Sequence, residues 1–367
     1  MNCTKRKSRL AAGHRLWSWL VPALVLLSGS TSLSIQDDLP PLEEPPAWDQ
    51  YWEQESMDGQ PLNWKLTTMG GTQFWTDLRH RSGWRIQRHY ATGHCRLLDP
   101  NDVRRAWGTL EQCEASLAAL IETEPVPPNS KTVVILVHGL ARTRGCWVPM
   151  TRCVQEHTRW QVIDFTYASS RKPVSDHAQA LRQVIETLGP EVKQIHFAGH
   201  SLGNIVVRHY LADTTSTDNL RQGDPRIGRI VMIGPPNHGS KMARVLQPTG
   251  VFSFVTGRSG VELGKDWEQL EGKLAVPKCE FGIIAGGSKE NGQGYNPLLS
   301  GSGDMTVSLE EAKLAGASDL MVHPLFHATM MKQSEVCAAT VRFLQTGCFS
   351  ESGTRNPIPA GPPGPGK

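Results

Sequence analysis

Between an apolar run ending at Ala198 and a helix-compatible stretch starting at Gly203 lies Gly199-His200-Ser201-Leu202-Gly203. A G-x-S-x-G pentapeptide between a strand and a helix turns the chain sharply and lifts a serine hydroxyl above the sheet. The flanking Gly199 and Gly203 let neighbouring elements approach backbone that a larger side chain would block. Outside such a setting the same pentapeptide is an ordinary turn. A serine hydroxyl is a poor nucleophile until a base takes its proton, so the reading demands a histidine and a carboxylate that orients it.

The expected order along the chain is serine, acid, histidine. Gly301-Ser302-Gly303-Asp304-Met305-Thr306-Val307 sets Asp304 in a flexible loop after a strand at 281–285, which favours it as the acid. Of its rivals, Asp224 precedes a strand and Asp266 lies in a lid-like segment. Two histidines compete for the base in Val322-His323-Pro324-Leu325-Phe326-His327-Ala328. His327 opens the last helix, expected over 330–344, and is preferred. His323 precedes Pro324, is restricted to extended geometry and is assigned to the end of a strand. His138 and His200 lie too close to the oxyanion loop and the elbow to serve.

A tetrahedral intermediate also needs two N–H donors for its oxygen, each typically worth about 3 kcal/mol of barrier. His138-Gly139-Leu140 directly follows a buried strand, so the candidate donors are the amides of Leu140 and Leu202; the competing reading of that segment is a tight turn. From Lys241 to Pro277 the strand and helix rhythm lapses into an apolar insertion. It reads as a lid in which Phe252, Phe254 and Val255 form a candidate acyl pocket, or else as a surface helix with ordinary core contacts.

The elements that must position these residues alternate. Strands are expected at 132–137, 161–166, 192–198 and 227–233, with helices at 176–188 and 203–211 between them. Short apolar strands alternating with helices imply a mainly parallel sheet covered on both faces. Upstream, 48–128 is tryptophan-rich, with strand-like stretches at 73–78 and 84–90. The second alternates Arg85, Gln87 and His89 with Trp84, Ile86 and Tyr90, apart from Arg88, and reads as a half-solvated strand, the alternative being an anion-binding or partner surface.

From Lys131 to about Phe349 the chain resembles the α/β-hydrolase superfamily, and within it the triacylglycerol lipase and esterase branch. The resemblance rests on the strand into His138-Gly139, the elbow 199–203, Pro235-Pro236-Asn237-His238-Gly239-Ser240, the Asp304-x-Thr306-Val307 loop and His327. It implies an α/β-hydrolase fold, an ester or lipid substrate and an acyl-enzyme mechanism with no cofactor. Thioester hydrolysis and acyl transfer use the same residues, and a non-catalytic binding protein of the same fold is the rival of another class. Members often carry glycine after the acid, where this chain has Met305. No family is named for 48–128.

Lys5, Arg6, Lys7, Arg9 and Arg15 precede an apolar run at 16–27 and small residues at 28–32, the pattern of a signal peptide cleaved near 30–34. An uncleaved anchor and a buried helix are the alternatives. Removing those five cations from 38 leaves 33 against 35 Asp and Glu, a net of −2 that gives no electrostatic case for nucleic acid. Segments 37–46 and 122–130 read as Pro-containing linkers. The division is a leader at 1–34, an amino-terminal elaboration at 35–130, a hydrolase domain at 131–349 and a Pro/Gly-rich disordered tail at 350–367. Past the leader, seven cysteines remain, an odd number. An exported chain permits bridges, but Cys146 and Cys153 are too far apart to pair if their segment is helical. No tight Cys/His cluster suggests a metal, and Gly93-His94-Cys95 reads as structural.

Overall fold

The computed structural model divides the chain into two units, 1–44 and 45–367. It describes residues 66–67, 73–123, 126–212, 224–246, 251–287 and 303–360, all in the second unit, with the side chains of 66–67 and 251–255 excepted. The leader and the first linker lie outside the described residues, as do the side chains of Phe252, Phe254 and Val255.

Five strands come first: β1 (Leu66–Thr67), β2 (Trp75–Arg81), β3 (Trp84–His89), β4 (Cys95–Leu98) and β5 (Val103–Gly108). They form an antiparallel sheet in the order β1-β5-β4-β3-β2. Helix α1 (Leu110–Thr123) closes one face, where Leu78, Ile86, Cys95, Leu97, Ala106 and Cys113 share one core. The other face carries a row of directly opposed residues across four strands, Asp77, Gln87, Arg96 and Trp107. Here the half-solvated expectation fails, because Arg85 and Gln87 are buried. Burial of such groups requires partners. Gln87 donates to Asp77 Oδ1 at 2.7 Å and accepts from Arg96, whose guanidinium lies 3.8 Å over the Trp75 ring, while Arg85 is paired with Asp102.

The second sheet is wholly parallel and runs β11-β10-β9-β8-β6-β7. Its strands are β6 (Thr132–Val137), β7 (Gln161–Phe165), β8 (Gln194–His200), β9 (Ile227–Ile233), β10 (Phe281–Gly286) and β11 (Asp319–His323). Period-two alternation sends Val133, Ile135 and Val137 into one core and Val134 and Leu136 into another. Helices α2 (Val148–His157) and α9 (Ser334–Thr346) belong to the second core. Helices α3 (Val174–Glu186) and α4 (Leu202–Ala212) cover the opposite face. The chain leaves β6 for β7 on one side and returns to β8 on the other. The crevice beyond the carboxyl ends of β6 and β8 is therefore a topological switch point, where ligands bind in open sheets of this kind.

The antiparallel sheet docks on the β7 edge: Asp77 N–H donates to Thr166 O at 2.9 Å, and Thr166 N–H to Asp77 Oδ2 at 2.7 Å. Between β9 and β10 the insertion is helical, with α5 (Lys241–Leu246), α6 (Val251–Glu262) and α7 (Trp267–Glu271), and α8 (Leu309–Ala312) follows β10. The helix expected from 330 starts at Ser334, after a 3-10 turn over His327–Lys332. The expectation of a disordered tail over 350–367 does not hold for the described residues up to 360, and 361–367 lie outside them. Arg355 is paired with Glu280, Leu320 N–H of β11 donates to Asn356 O at 2.8 Å, and Ile358 N–H donates to Ala317 O at 2.9 Å. The seven described cysteines are thiols; Cys146 sits in a 3-10 turn (Arg144–Trp147) and Cys153 in α2. No helix among the described residues is long and apolar enough to cross a membrane.

Candidate active site

Ser201 joins β8 to α4 at φ 52°, a left-handed conformation rare outside glycine. The turn is held on both sides: Ser201 N–H donates to Ile233 O at 3.0 Å, and Asn204 N–H to Ser201 O at 3.1 Å. The motif glycines explain themselves sterically. A Cβ on Gly199 would stand 2.3 Å from Asn204 Oδ1, and one on Gly203 would stand 2.0 Å from Val137 O. Helix α4 starts at Leu202, so the Leu202 amide has no acceptor within the helix.

The loop after β6 folds against this elbow. A Cβ on Gly139 would stand 3.1 Å from Ser201 Cβ and 2.9 Å from His200 Nδ1. Arg142 N–H closes a turn on Gly139 O at 3.2 Å, Ala141 takes φ 54°, and Ala141 N–H donates to Ser169 Oγ at 3.0 Å. Ser169 Oγ in turn donates to Gln73 Oε1, and Gln73 Nε2 donates to Arg142 O. Gln73 immediately precedes β2 by two residues, so the amino-terminal elaboration braces the loop that carries Leu140. Sequence reading missed this contact; no signal in either segment links positions so far apart.

Asp304 is 1% exposed and its carboxylate is fully engaged. Oδ1 accepts from Thr306 N–H at 3.0 Å and Val307 N–H at 2.8 Å, and Oδ2 accepts from His327 Nδ1 at 2.7 Å. A carboxylate in this state only accepts, so Nδ1 is the nitrogen that donates, and in the neutral ring Nε2 carries the lone pair. Two glycines make room. A Cβ on Gly286 would stand 2.2 Å from Asp304 Cβ, and one on Gly234 would stand 3.1 Å from His327 Nδ1. Neither was singled out from sequence, although each directly ends a buried strand. Met305, in place of the usual glycine, takes φ 82°, which explains why glycine suits that position.

The other histidines separate by environment. His323 ends β11 and pairs with Glu335 at 2.8 Å, away from Asp304. Burial and the neighbouring His327 hold His200 well below the usual imidazole range, and its Nε2 donates to His327 O at 2.9 Å. Burial lowers His138 to about 4; its ring stacks on Tyr167 at 4.2 Å. Both are neutral near pH 7 and serve as packing groups.

A cavity of about 210 Å³ joins these parts: its wall includes Gly139, Leu140, Arg142, Ser201, Thr306 and His327. Met242, Ala243, Thr256, Gly260 and Leu263 of the insertion line the same cavity. Helix α6 crosses close to the sheet edge at its kink, Gly257, where a Cβ would stand 1.9 Å from Ser170 O. Of the predicted site residues the structure thus brings together Ser201, Asp304, His327, Leu140 and Leu202, the last with its side chain in the core.

Residues 134–300 match the model of the alpha/beta hydrolase family. The chain has the α/β-hydrolase fold, with an added antiparallel sheet before it. Among solved structures similar to this chain is a Bacillus licheniformis lipase in its mature form, 18% identical, with 56% of this chain and 89% of that one covered and a TM-score of 0.42. A phospholipase from Legionella pneumophila is 15% identical with a TM-score of 0.46, covering 60% of each chain. Lipase B of Aspergillus fumigatus is 15% identical with a TM-score of 0.44, covering 59% of this chain and 52% of its own. The match therefore spans less than two thirds of the phospholipase and of the fungal lipase. No curated protein sequence matches the chain.

Proposed function

We propose that this α/β hydrolase cleaves carboxylic esters through an acyl-enzyme, with Ser201 as nucleophile, His327 as base and Asp304 as its orienting acid. The observation that carries the reading is the Asp304–His327 pair, which leaves a proton-accepting Nε2 on a histidine that shares one cavity with a serine on a strained elbow. In this mechanism Ser201 Oγ attacks the acyl carbonyl as His327 Nε2 takes its proton. The Leu140 and Leu202 amides receive the developing oxyanion, and His327 returns the proton to the departing alcohol. Water, activated by the same histidine, then releases the acid. The helical insertion over 241–277 acts as a lid whose Met242, Ala243 and Leu263 give the acyl chain apolar contacts, with Phe252, Phe254 and Val255 as further candidate pocket residues.

Thioester hydrolysis and acyl transfer use the same geometry and differ only in leaving group and acceptor. A fluorophosphonate probe tests the shared core: it should label Ser201, and Ser201→Ala should abolish both labelling and 4-nitrophenyl butyrate hydrolysis in a folded protein. A folded Ser201→Ala variant with full activity would end the assignment. The leader at 1–34 makes the protein exported in this reading, by cleavage or as an anchor, and amino-terminal sequencing of the exported molecule decides between the two.

A further inference from the structure

We propose that Arg142 is an anion-recognising residue of the Ser201 cavity, and that the natural substrate is an ester bearing a carboxylate or phosphate group. The inference deepens the esterase reading and rests on it for the position of the scissile bond. Arg142 lies two residues beyond Leu140 and lines the same wall as Ser201 and His327. Its main chain is fixed from two directions, by the turn on Gly139 O and by Gln73 Nε2, which donates to Arg142 O. Gln73 is itself held, its Oε1 accepting from Ser169 Oγ and Ser170 Oγ at 3.0 Å each. The point at which the Arg142 side chain leaves the loop is therefore set by the packed interior rather than by a free surface turn.

The neighbouring arginines are already committed. Arg85 and Arg144 both bind Asp102, whereas Arg142 forms no ion pair with any carboxylate among the described residues. Among the described residues the cavity wall offers it no counter-charge either: Asp304 stands behind His327 with its oxygens taken, and the remaining described wall is glycine, apolar groups, hydroxyls, His327 and neutral His200. Arg142 is thus the one permanently charged residue among the described residues of that wall. A guanidinium offers a planar fork that matches the two oxygens of a carboxylate or phosphate. Low-dielectric walls around a single cation concentrate its field on whatever enters the cleft. A cavity lined by that cation and by apolar Met242, Ala243 and Leu263 suits a substrate with an apolar acyl part and one anionic group.

The test compares matched esters in wild type, Arg142→Gln and Arg142→Lys. One pair is mono-4-nitrophenyl glutarate against 4-nitrophenyl valerate, which places the anion on the acyl part. The other is butyryl-glycerol 3-phosphate against butyryl-glycerol, which places it on the alcohol part. The readout is the ratio of kcat/KM for the anionic to the neutral member. Arg142→Gln should lower that ratio about tenfold in at least one pair, with partial recovery in Arg142→Lys, as expected for loss of a partly desolvated charge partner. An unchanged ratio in both pairs overturns the proposal. Calorimetric titration of Ser201→Ala with butyl phosphate and with valerate separates this from the esterase reading. Anion binding that is lost on adding Arg142→Gln, together with a wild-type protein that hydrolyses none of the esters, would sink the esterase assignment and keep the anion site. Binding indifferent to Arg142 would sink the site whatever the activity.

Discussion

His327 is tied to Asp304 twice, by ring Nδ1 to Oδ2 at 2.7 Å and by backbone N–H to Asp304 O at 2.9 Å. The double link fixes the position of the ring and its tautomer together. Asp304→Asn separates the two effects. The asparagine Oδ1 can keep the bonds from Thr306 and Val307, so the loop should stay folded. Its amide donates to Nδ1 and drives the proton to Nε2, where the ring can no longer accept from Ser201. On this account kcat falls by roughly 10⁴ with an unchanged circular dichroism spectrum. A loss of only a few fold in steady-state turnover of 4-nitrophenyl butyrate would remove Asp304 from the mechanism.

Gly286 makes the same pair sensitive to a methyl group. Its added Cβ would meet Asp304 Cβ at 2.2 Å and Asp304 Cα at 2.9 Å, backbone that cannot rotate away. Gly286→Ala should therefore push the Asp304 loop off His327, and a displacement near 1 Å at a catalytic group costs about 10²-fold in rate. Rate and thermal midpoint measured on the same preparation check it. Full activity in the variant would mean that the loop yields without disturbing the pair.

Ser169 offers a third point of attack, outside the reacting groups. Its hydroxyl accepts from Ala141 N–H and donates to Gln73 Oε1, so it holds the loop presenting the Leu140 amide. Ser169→Ala should lower kcat by about tenfold, part of the worth of a full oxyanion donor, while KM for a neutral ester changes little. A rise in KM at constant kcat would make Ser169 a substrate contact instead.

How much of this was legible varies with the physics of each element. Thr132–Val137 and Ile227–Ile233 coincide with the apolar runs that announce them, because a parallel strand buried on both faces has no reason to alternate. β8 is displaced by two residues: Val192 N–H closes a turn on Gly189 O, and the strand continues into His200, a polar residue whose burial no apolar pattern announces. β3 misled in the opposite sense. Arg85 and Gln87 look like a wet face, and only their partners Asp102, Asp77 and Arg96, distant in sequence, make burial affordable. At the candidate site the residue types and their order were readable, whereas the space left by Gly234 and Gly286 and the brace from Gln73 depend on three-dimensional closeness alone.

Buried neutral histidines give a pH dependence of stability. Burial lowers His80 and His177 to about 3 and His138 and His196 to about 4, from 6.5 in the unfolded chain. Below pH 6.5 the unfolded state takes up protons that the folded state refuses, so stability is fully present above pH 6.5 and is lost as pH falls towards 4. By pH 5 each histidine accounts for up to about 2 kcal/mol. Asp77 and Asp164, raised by burial, act in the opposite direction but are fewer. Urea unfolding at pH 7 and pH 5 should show a drop of several kcal/mol. A flat profile across that interval would mean that these rings are protonated in the native state or hydrated on a local opening.

The insertion makes the last prediction. Met242, Leu263 and Ser201 line one cavity of about 210 Å³, so an acyl chain entering it exchanges water for apolar wall. Each buried CH₂ gains about 0.8 kcal/mol, roughly fourfold in kcat/KM, until the cavity is filled. Activity on 4-nitrophenyl esters should therefore climb from acetate through butanoate to hexanoate and then level off. Leu263→Ala removes wall from part of that path, so the gain per CH₂ should fall below fourfold for the methylenes it touched. The plateau should move to longer chains, since the cavity is larger. The slope of log kcat/KM against chain length, compared between the two proteins, isolates this effect from any general loss of activity. If Leu263→Ala and Met242→Ala lower every ester by the same factor and leave the slope intact, the insertion supports the fold without contacting the acyl chain, and the lid reading falls.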